Sequence, residues 1–118
     1  MLKRRINKVS PPKDCTLAAC MRYLNGAWTP GILWYLNGQS RRFTELKADL
    51  RGISAKVLTQ NLHRLVGIGL VARRRLQTSP PSVEYALSEL GRELTPTLEI
   101  LVAVGKKIMQ RHAAERRR

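Results

Sequence analysis

The stretch GISAKVLTQNLHRLVGIGLVARRR, residues 52–75, decides how the chain is read. Ser54 is a strong N-cap type, and the residues after it repeat at helical spacing. At 100° per residue, Leu58, Leu62 and Leu65 fall within about 60° of one another and form a seam. Lys56, Gln60 and His63 point nearly the opposite way, with Thr59 and Arg64 on the flanks. Gly67 and Gly69 end the helix, and Val71 to Leu76 continues as a strand carrying Arg73, Arg74 and Arg75. A helix with an apolar back, a polar front and a basic strand behind it suits a duplex groove. Lysine donates to guanine O6 and N7, glutamine pairs with adenine, and a threonine methyl meets that of thymine.

The charge distribution supports a polyanion partner. The chain has 118 residues and a formal charge of +14. Residues 1–13 hold five bases and no acid, and residues 106–118 hold six bases and Glu115. Basic tails are often only solvated. From Arg41 to Arg75, however, nine bases face Glu45 and Asp49, a local excess of +7, while the rest of the middle nets −3. A folded basic segment beside a mildly acidic remainder is the more telling pattern. In it, Lys56, Thr59 and Gln60 are expected to read bases. Ser54, His63 and Arg64 are expected to hold the phosphate backbone, joined by Arg41 and Arg42 ahead of the helix pair. On the strand, Arg73 and Arg75 share one face, which is expected to track phosphates or the minor groove.

Working outward, residues 1–13 read as a basic flexible arm, residues 14–110 as one domain and residues 111–118 as a basic tail. The first helix is expected to start at Asp14 or Thr16 and to run through Leu17, Met21 and Leu24 to Asn25-Gly26. Pro30 suits the first turn of a second helix carrying Ile32, Leu33 and Leu36. Ser40 to Phe43 is extended, and Thr44 is expected to cap a third helix with Leu46 and Leu50 inside. Val83 to Leu87 alternates as a half-buried strand, joined to the arginine strand by QTSPPS, whose prolines belong at the tip. Ser88 then caps a long last helix striped by Leu90, Leu94, Leu98, Leu101 and Ile108, which Pro96 should kink near its middle. That stripe is longer than so small a domain covers by itself. The fold class is therefore mainly α (α+β): a winged helix-turn-helix with a long C-terminal dimerisation helix.

These residues resemble a known family. LTQNLHRLVGIGLVARR (58–74) and PPSVEYALSELGREL (80–94), with ILWYL (32–36), RRFTEL (41–46) and GIS (52–54), are similar to the HxlR-type regulators, winged-helix transcription factors related to the MarR group. The resemblance covers roughly residues 14 to 105. It implies a homodimer formed through the first and last helices, with Leu17, Met21, Leu98, Leu101, Val102 and Ile108 at the seam. It also implies two recognition helices on one pseudo-palindromic operator of double-stranded DNA. Asn25-Gly26-Ala27-Trp28 stands where the family usually has Gly-Gly-Lys-Trp. Ser82 stands where a base often follows the wing prolines, so the wing charge falls to Arg73–Arg75.

Two cysteines make no disulfide framework, and a reducing cytoplasm is expected. Cys15 is the redox candidate: a thiol at a helix start near Lys13 has its thiolate favoured, although Asp14 opposes this. The resemblance adds that a redox-sensing subgroup uses a matching cysteine. Cys20 reads as core, and its spacing from Cys15 disfavours a bridge within one chain. Trp28 and Trp34 read as core or, with Tyr35, as the lining of an effector pocket for a small molecule or oxidant. His63 and His112 have no ligand-spaced partner, so no metal or cofactor is expected. No nucleophile and base pair stands out, so an enzyme is not expected. No stretch approaches the roughly 18 apolar residues of a membrane span. The alternative is a sequence-indifferent DNA-coating or RNA-associated protein that uses its charge alone.

Overall fold

Helices at the expected spacing appear in the computed structural model, which describes residues 16–117. The N-terminal arm, Asp14, Cys15 and Arg118 lie outside the described residues. Helix α1 spans Thr16–Tyr23 and α2 spans Thr29–Tyr35. Between them Gly26 takes φ +115°, a conformation that side-chain-bearing residues rarely adopt. Pro30 lies in the first turn of α2, as its missing N–H suits. Ile32, Leu33 and Leu36 are buried.

Strand β1 (Arg41–Arg42) leads into α3 (Phe43–Asp49). The helix starts one residue ahead of the expected Thr44 cap. Arg42 holds the cap position in extended geometry, and its N–H donates to Glu45 Oε1 at 2.8 Å. Glu45, at the third helical position, thereby satisfies a backbone donor that Thr44 was expected to leave outside the helix. Helix α4 (Ala55–Gly67) follows, and here the expected cap is present: Ser54 Oγ accepts from Val57 N–H at 3.1 Å. Gly69 then turns the chain with φ +86°.

Strands β2 (Val71–Leu76) and β3 (Ser82–Leu87) form the wing. The sheet is antiparallel with order β1-β3-β2, and Arg73 lies opposite Tyr85, Arg74 opposite Glu84 and Arg75 opposite Val83. The alternation expected on β3 is blurred. It is the central strand, so Ser82 to Ala86 are all partly covered and only Leu87 is fully buried.

The last helix is not one kinked rod. Ser88 caps a short α5 (Glu89–Arg92), and α6 (Thr95–Arg116) begins after a break at Glu93-Leu94. There the backbone bonds tighten, Glu93 N–H reaching Leu90 O and Leu94 N–H reaching Gly91 O, both at 3.1 Å. Pro96 has no N–H with which to continue the α5 ladder, so it sits in the first turn of α6 instead of kinking its middle.

One core joins these pieces. The leucines of α4 share it with Ile32 and Leu33 from α2 and Leu36 just after it, Leu46 from α3 and Leu50 just after it, Leu70 ahead of the sheet, and Val71 and Leu87 within it. Leu98 joins it from α6. Expected at the dimer seam, Leu98 is instead only 8% exposed within its own chain. Beyond it α6 leaves the core behind: Ile100, Leu101, Val102, Val104 and Ile108 are exposed, as are Leu17 and Met21 on α1. The architecture is a winged helix-turn-helix with a long C-terminal helix.

Candidate nucleic-acid interface

Helix α4 presents the two faces that its spacing requires. Leu58, Leu62 and Leu65 are at most 1% exposed, while Lys56, Thr59, Gln60 and His63 all face solvent. Lys56, Gln60 and His63 lie at i, i+4 and i+7 and share one ridge. Ser54 caps the start of the helix, and the first turn of α4 holds no acidic residue. Its free N–H groups and positive dipole end suit an anion. The structure thus brings Ser54, Lys56, Thr59, Gln60 and His63 onto one open surface.

Arg64 departs from this set. Its side chain turns back into the protein, Nη1 donating to the Tyr23 carbonyl at 2.7 Å. Nη2 donates to Thr29 Oγ1 at 2.7 Å, to Asn61 Oδ1 at 3.1 Å and to the Asn25 carbonyl at 3.2 Å. With those acceptors occupied, the guanidinium is an internal tie, not the outward phosphate ligand expected from its place on the flank.

Arg41 departs in the same way. It grips Asp49 with two bonds of 3.0 Å and approaches Glu45 at 3.9 Å. The hydrogen bond to Asp49 holds the Arg41 pKa above its ordinary value, so the charge stays committed to the two carboxylates. The pair locks β1 to the end of α3. Residues 41, 45 and 49 are spaced by four, which was the available signal for it in the sequence. Arg42, in contrast, is exposed.

On the wing the arginines divide as strand geometry dictates. Arg74 pairs with Glu84 directly across the ladder, and Ser40 Oγ donates to the same carboxylate at 3.2 Å. Arg73 and Arg75 are exposed and, among the described residues, have no acidic partner. The outward cations of this half of the molecule therefore include Arg42, Lys56, Arg73 and Arg75.

An open cavity of about 710 Å³ lies on another side, between α1, the end of α4 and α5. Tyr23, Leu24, Ile68, Leu90 and Leu94 line it. Cys20 lines it too, so the residue read as core is half-exposed beside this groove. Cys20 has no core to enter there, because α1 has no buried residue. Trp28 packs partly against the core, whereas Trp34 and Tyr35 are exposed. Among the described residues there is no cluster of side chains fit to hold a metal ion, and no helix is long and apolar enough to cross a membrane.

Known proteins resemble this chain in sequence and fold. The family model described as HxlR-like helix-turn-helix matches residues 23–113. An uncharacterized HTH-type transcriptional regulator of Bacillus subtilis, YkvN, is 34% identical over 102 residues, which cover 86% of each chain. A solved structure described as a transcriptional regulator of the MarR family, from Porphyromonas gingivalis W83, superposes with a TM-score of 0.75 at 33% identity, covering 84% of this chain and 96% of that one. The reduced form of the redox regulator HypR superposes with a TM-score of 0.78 at 26% identity, covering 83% of this chain and 97% of that one.

Proposed function

The chain belongs to the HxlR-like helix-turn-helix family of transcriptional regulators, and on that premise we propose that it binds a pseudo-palindromic operator as a homodimer. The observation that carries the reading is the division of α4 into a buried leucine seam and an open face of Lys56, Thr59, Gln60 and His63. In this reading Lys56, Thr59 and Gln60 contact base edges in the major groove, and Ser54 and His63 hold the backbone. Arg42, Arg73 and Arg75 supply phosphate contacts around them. Half-sites lie about one helical turn apart, or a multiple of it, as a two-fold pair of recognition helices requires. The protein acts where its DNA is, in the cytoplasm.

Selection of bound duplexes from a random pool tests this, with affinities then measured at several salt concentrations. If about six to eight phosphates are neutralised per dimer, log K falls with log salt at a slope of roughly −5 to −7. Gln60→Ala should leave that slope unchanged and relax the preference at one position of each half-site, by about 1–3 kcal/mol. Equal weakening on every duplex would mean that Gln60 does not read a base. A parent protein that prefers no selected duplex would point to charge-driven coating.

Regulation is proposed to run through Cys15, which directly precedes the first described residue of α1. In the sequence Lys13 favours a thiolate at Cys15 and Asp14 opposes it, and HypR is described as a redox regulator. Diamide should lower operator affinity about tenfold or more, on the scale of an ordinary coupling free energy. Cys15→Ser should abolish the response and Cys20→Ser should keep it. Unchanged affinity after diamide treatment removes the sensor role.

A further inference from the structure

We propose that Arg64 is a positioning residue of the DNA interface: it ties α4 to the end of α1, so that the seating of α1 sets how α4 meets DNA. This rests on the reading of α4 as the base-reading helix. Tyr23 is the last residue of α1, and its carbonyl is one of those that a helix end leaves without an internal partner. Arg64 Nη1 supplies that partner at 2.7 Å. Its Nη2 reaches the other side of the turn, to the Asn25 carbonyl and to Thr29 Oγ1.

The acceptors are themselves fixed. Thr29 is fully buried, and its hydroxyl donates back to the Asn25 carbonyl at 2.9 Å. Asn61 anchors its amide by donating to the Val57 carbonyl at 2.9 Å, leaving Oδ1 aimed at the guanidinium. A Cβ on Gly26 would stand 3.2 Å from Thr29 Oγ1, so the α1–α2 turn lies directly on this network. A planar guanidinium joins acceptors on two sides at once, which a lysine ammonium on its flexible stem does less well.

Two features give the tie its consequence. First, α1 has no buried residue, and Leu17 and Met21 on it are exposed, so its position in the domain is weakly held by apolar packing. Second, Arg64 lies one helical turn after Gln60 and next to His63 on α4. A displacement of α1 therefore reaches the proposed base-reading face through a single side chain. Whatever settles the exposed side of α1 also settles the aim of Gln60.

The test compares Thr29→Val, Arg64→Lys and Arg64→Gln with the parent on its selected operator and on an unrelated duplex, across a salt series. Thr29 is buried and cannot touch DNA, and valine keeps its shape. A positioning role predicts that operator preference falls about tenfold or more in Arg64→Gln, as loss of charge-assisted bonds implies. The loss should be smaller in Arg64→Lys and Thr29→Val, and the salt slope should stay at the parent value in all three. A slope shallower by about two per dimer, with both duplexes weakened alike, would make Arg64 a phosphate ligand and overturn the proposal. Unchanged operator preference in Arg64→Gln and Thr29→Val would overturn it equally. If the parent shows no operator preference, the base-reading assignment fails instead. Amide exchange over residues 24–29 then decides the tie: about tenfold faster exchange in Arg64→Gln supports it, and unchanged protection ends it.

Discussion

Replacing Leu101 and Ile108 together by aspartate should split the proposed dimer and remove nearly all operator binding. Leu101, Val104 and Ile108 fall on one side of α6 and are 58%, 46% and 52% exposed, with Leu17 and Met21 on α1 at 71% and 57%. Large apolar side chains left exposed in this number on a small domain suit the proposed association surface. Two-fold symmetry places each substituted side chain in the interface twice, and an unpaired carboxylate buried there costs several kcal/mol. Joining two recognition units raises apparent affinity by about 10²–10⁴ without any new contact, and the variant should lose that factor. Sedimentation should find single chains at micromolar concentration, and affinity for an isolated half-site should hold. Leu101 and Ile108 are not members of the core, so helix content should persist. A variant that remains paired and binds the operator would place the seam elsewhere.

Gly91→Ala should produce the largest loss of stability of any single methyl added to the chain. Gly91 is buried in α5, and a Cβ there would stand 2.1 Å from the Leu70 carbonyl oxygen and 3.3 Å from Leu87 Cδ2. The obstacle is backbone, so it cannot swing aside as a flexible side chain would. That carbonyl accepts from Ser88 N–H at 3.0 Å, Ser88 Oγ donates to the Gly69 carbonyl at 2.6 Å, and the same oxygen accepts from Gly91 N–H at 3.0 Å. Backing α5 away from Leu70 therefore strains the cap as well as the packing. Overpacking costs roughly 1–3 kcal/mol and a lost cap about 1 kcal/mol more. Their sum, near 3 kcal/mol, lowers Tm by about 12 °C in a chain of 118 residues. Gly67→Ala is the control: nothing lies within 4 Å of its Cβ position, so helix propensity should leave it neutral or more stable by up to about 1 kcal/mol. A melting point within about 2 °C of the parent in Gly91→Ala would mean that α5 docks differently.

Much of the fold and part of the site were legible in the residues alone, for a common reason. Helix periods, caps and strand alternation are set over a few neighbours. Leu58, Leu62 and Leu65 therefore announced their seam, Ser54 its cap, and the wing strands their bounds to within one residue. The open polar face of α4 followed, because whatever is opposite a buried seam on an isolated face looks outward. Thr44 and Pro96 were harder: each was weighed by its own habit, and a neighbour changed the outcome. Glu45 shifted the start of α3, and the absent N–H of Pro96 ended one helix and opened another.

Local periodicity and capping set the elements, the seam they bury and the surface opposite it. Which charges remain available depends on contacts between distant segments. Arg64 and Arg74 look equivalent to Arg42, Arg73 and Arg75 along the chain, and only the four-residue spacing of Arg41, Glu45 and Asp49 sets Arg41 apart. Across the fold, Arg41, Arg74 and Arg64 are engaged by Asp49, Glu84 and the Tyr23 carbonyl, 8, 10 and 41 residues away, and the others look outward. The same holds for the apolar stripe of the last helix, where Leu98 completes its own core and Leu101, less than one turn later, is left uncovered. A side chain's period is a property of its neighbours in sequence. Its partner is a property of whatever the fold brings across, and charge and burial both depend on the partner.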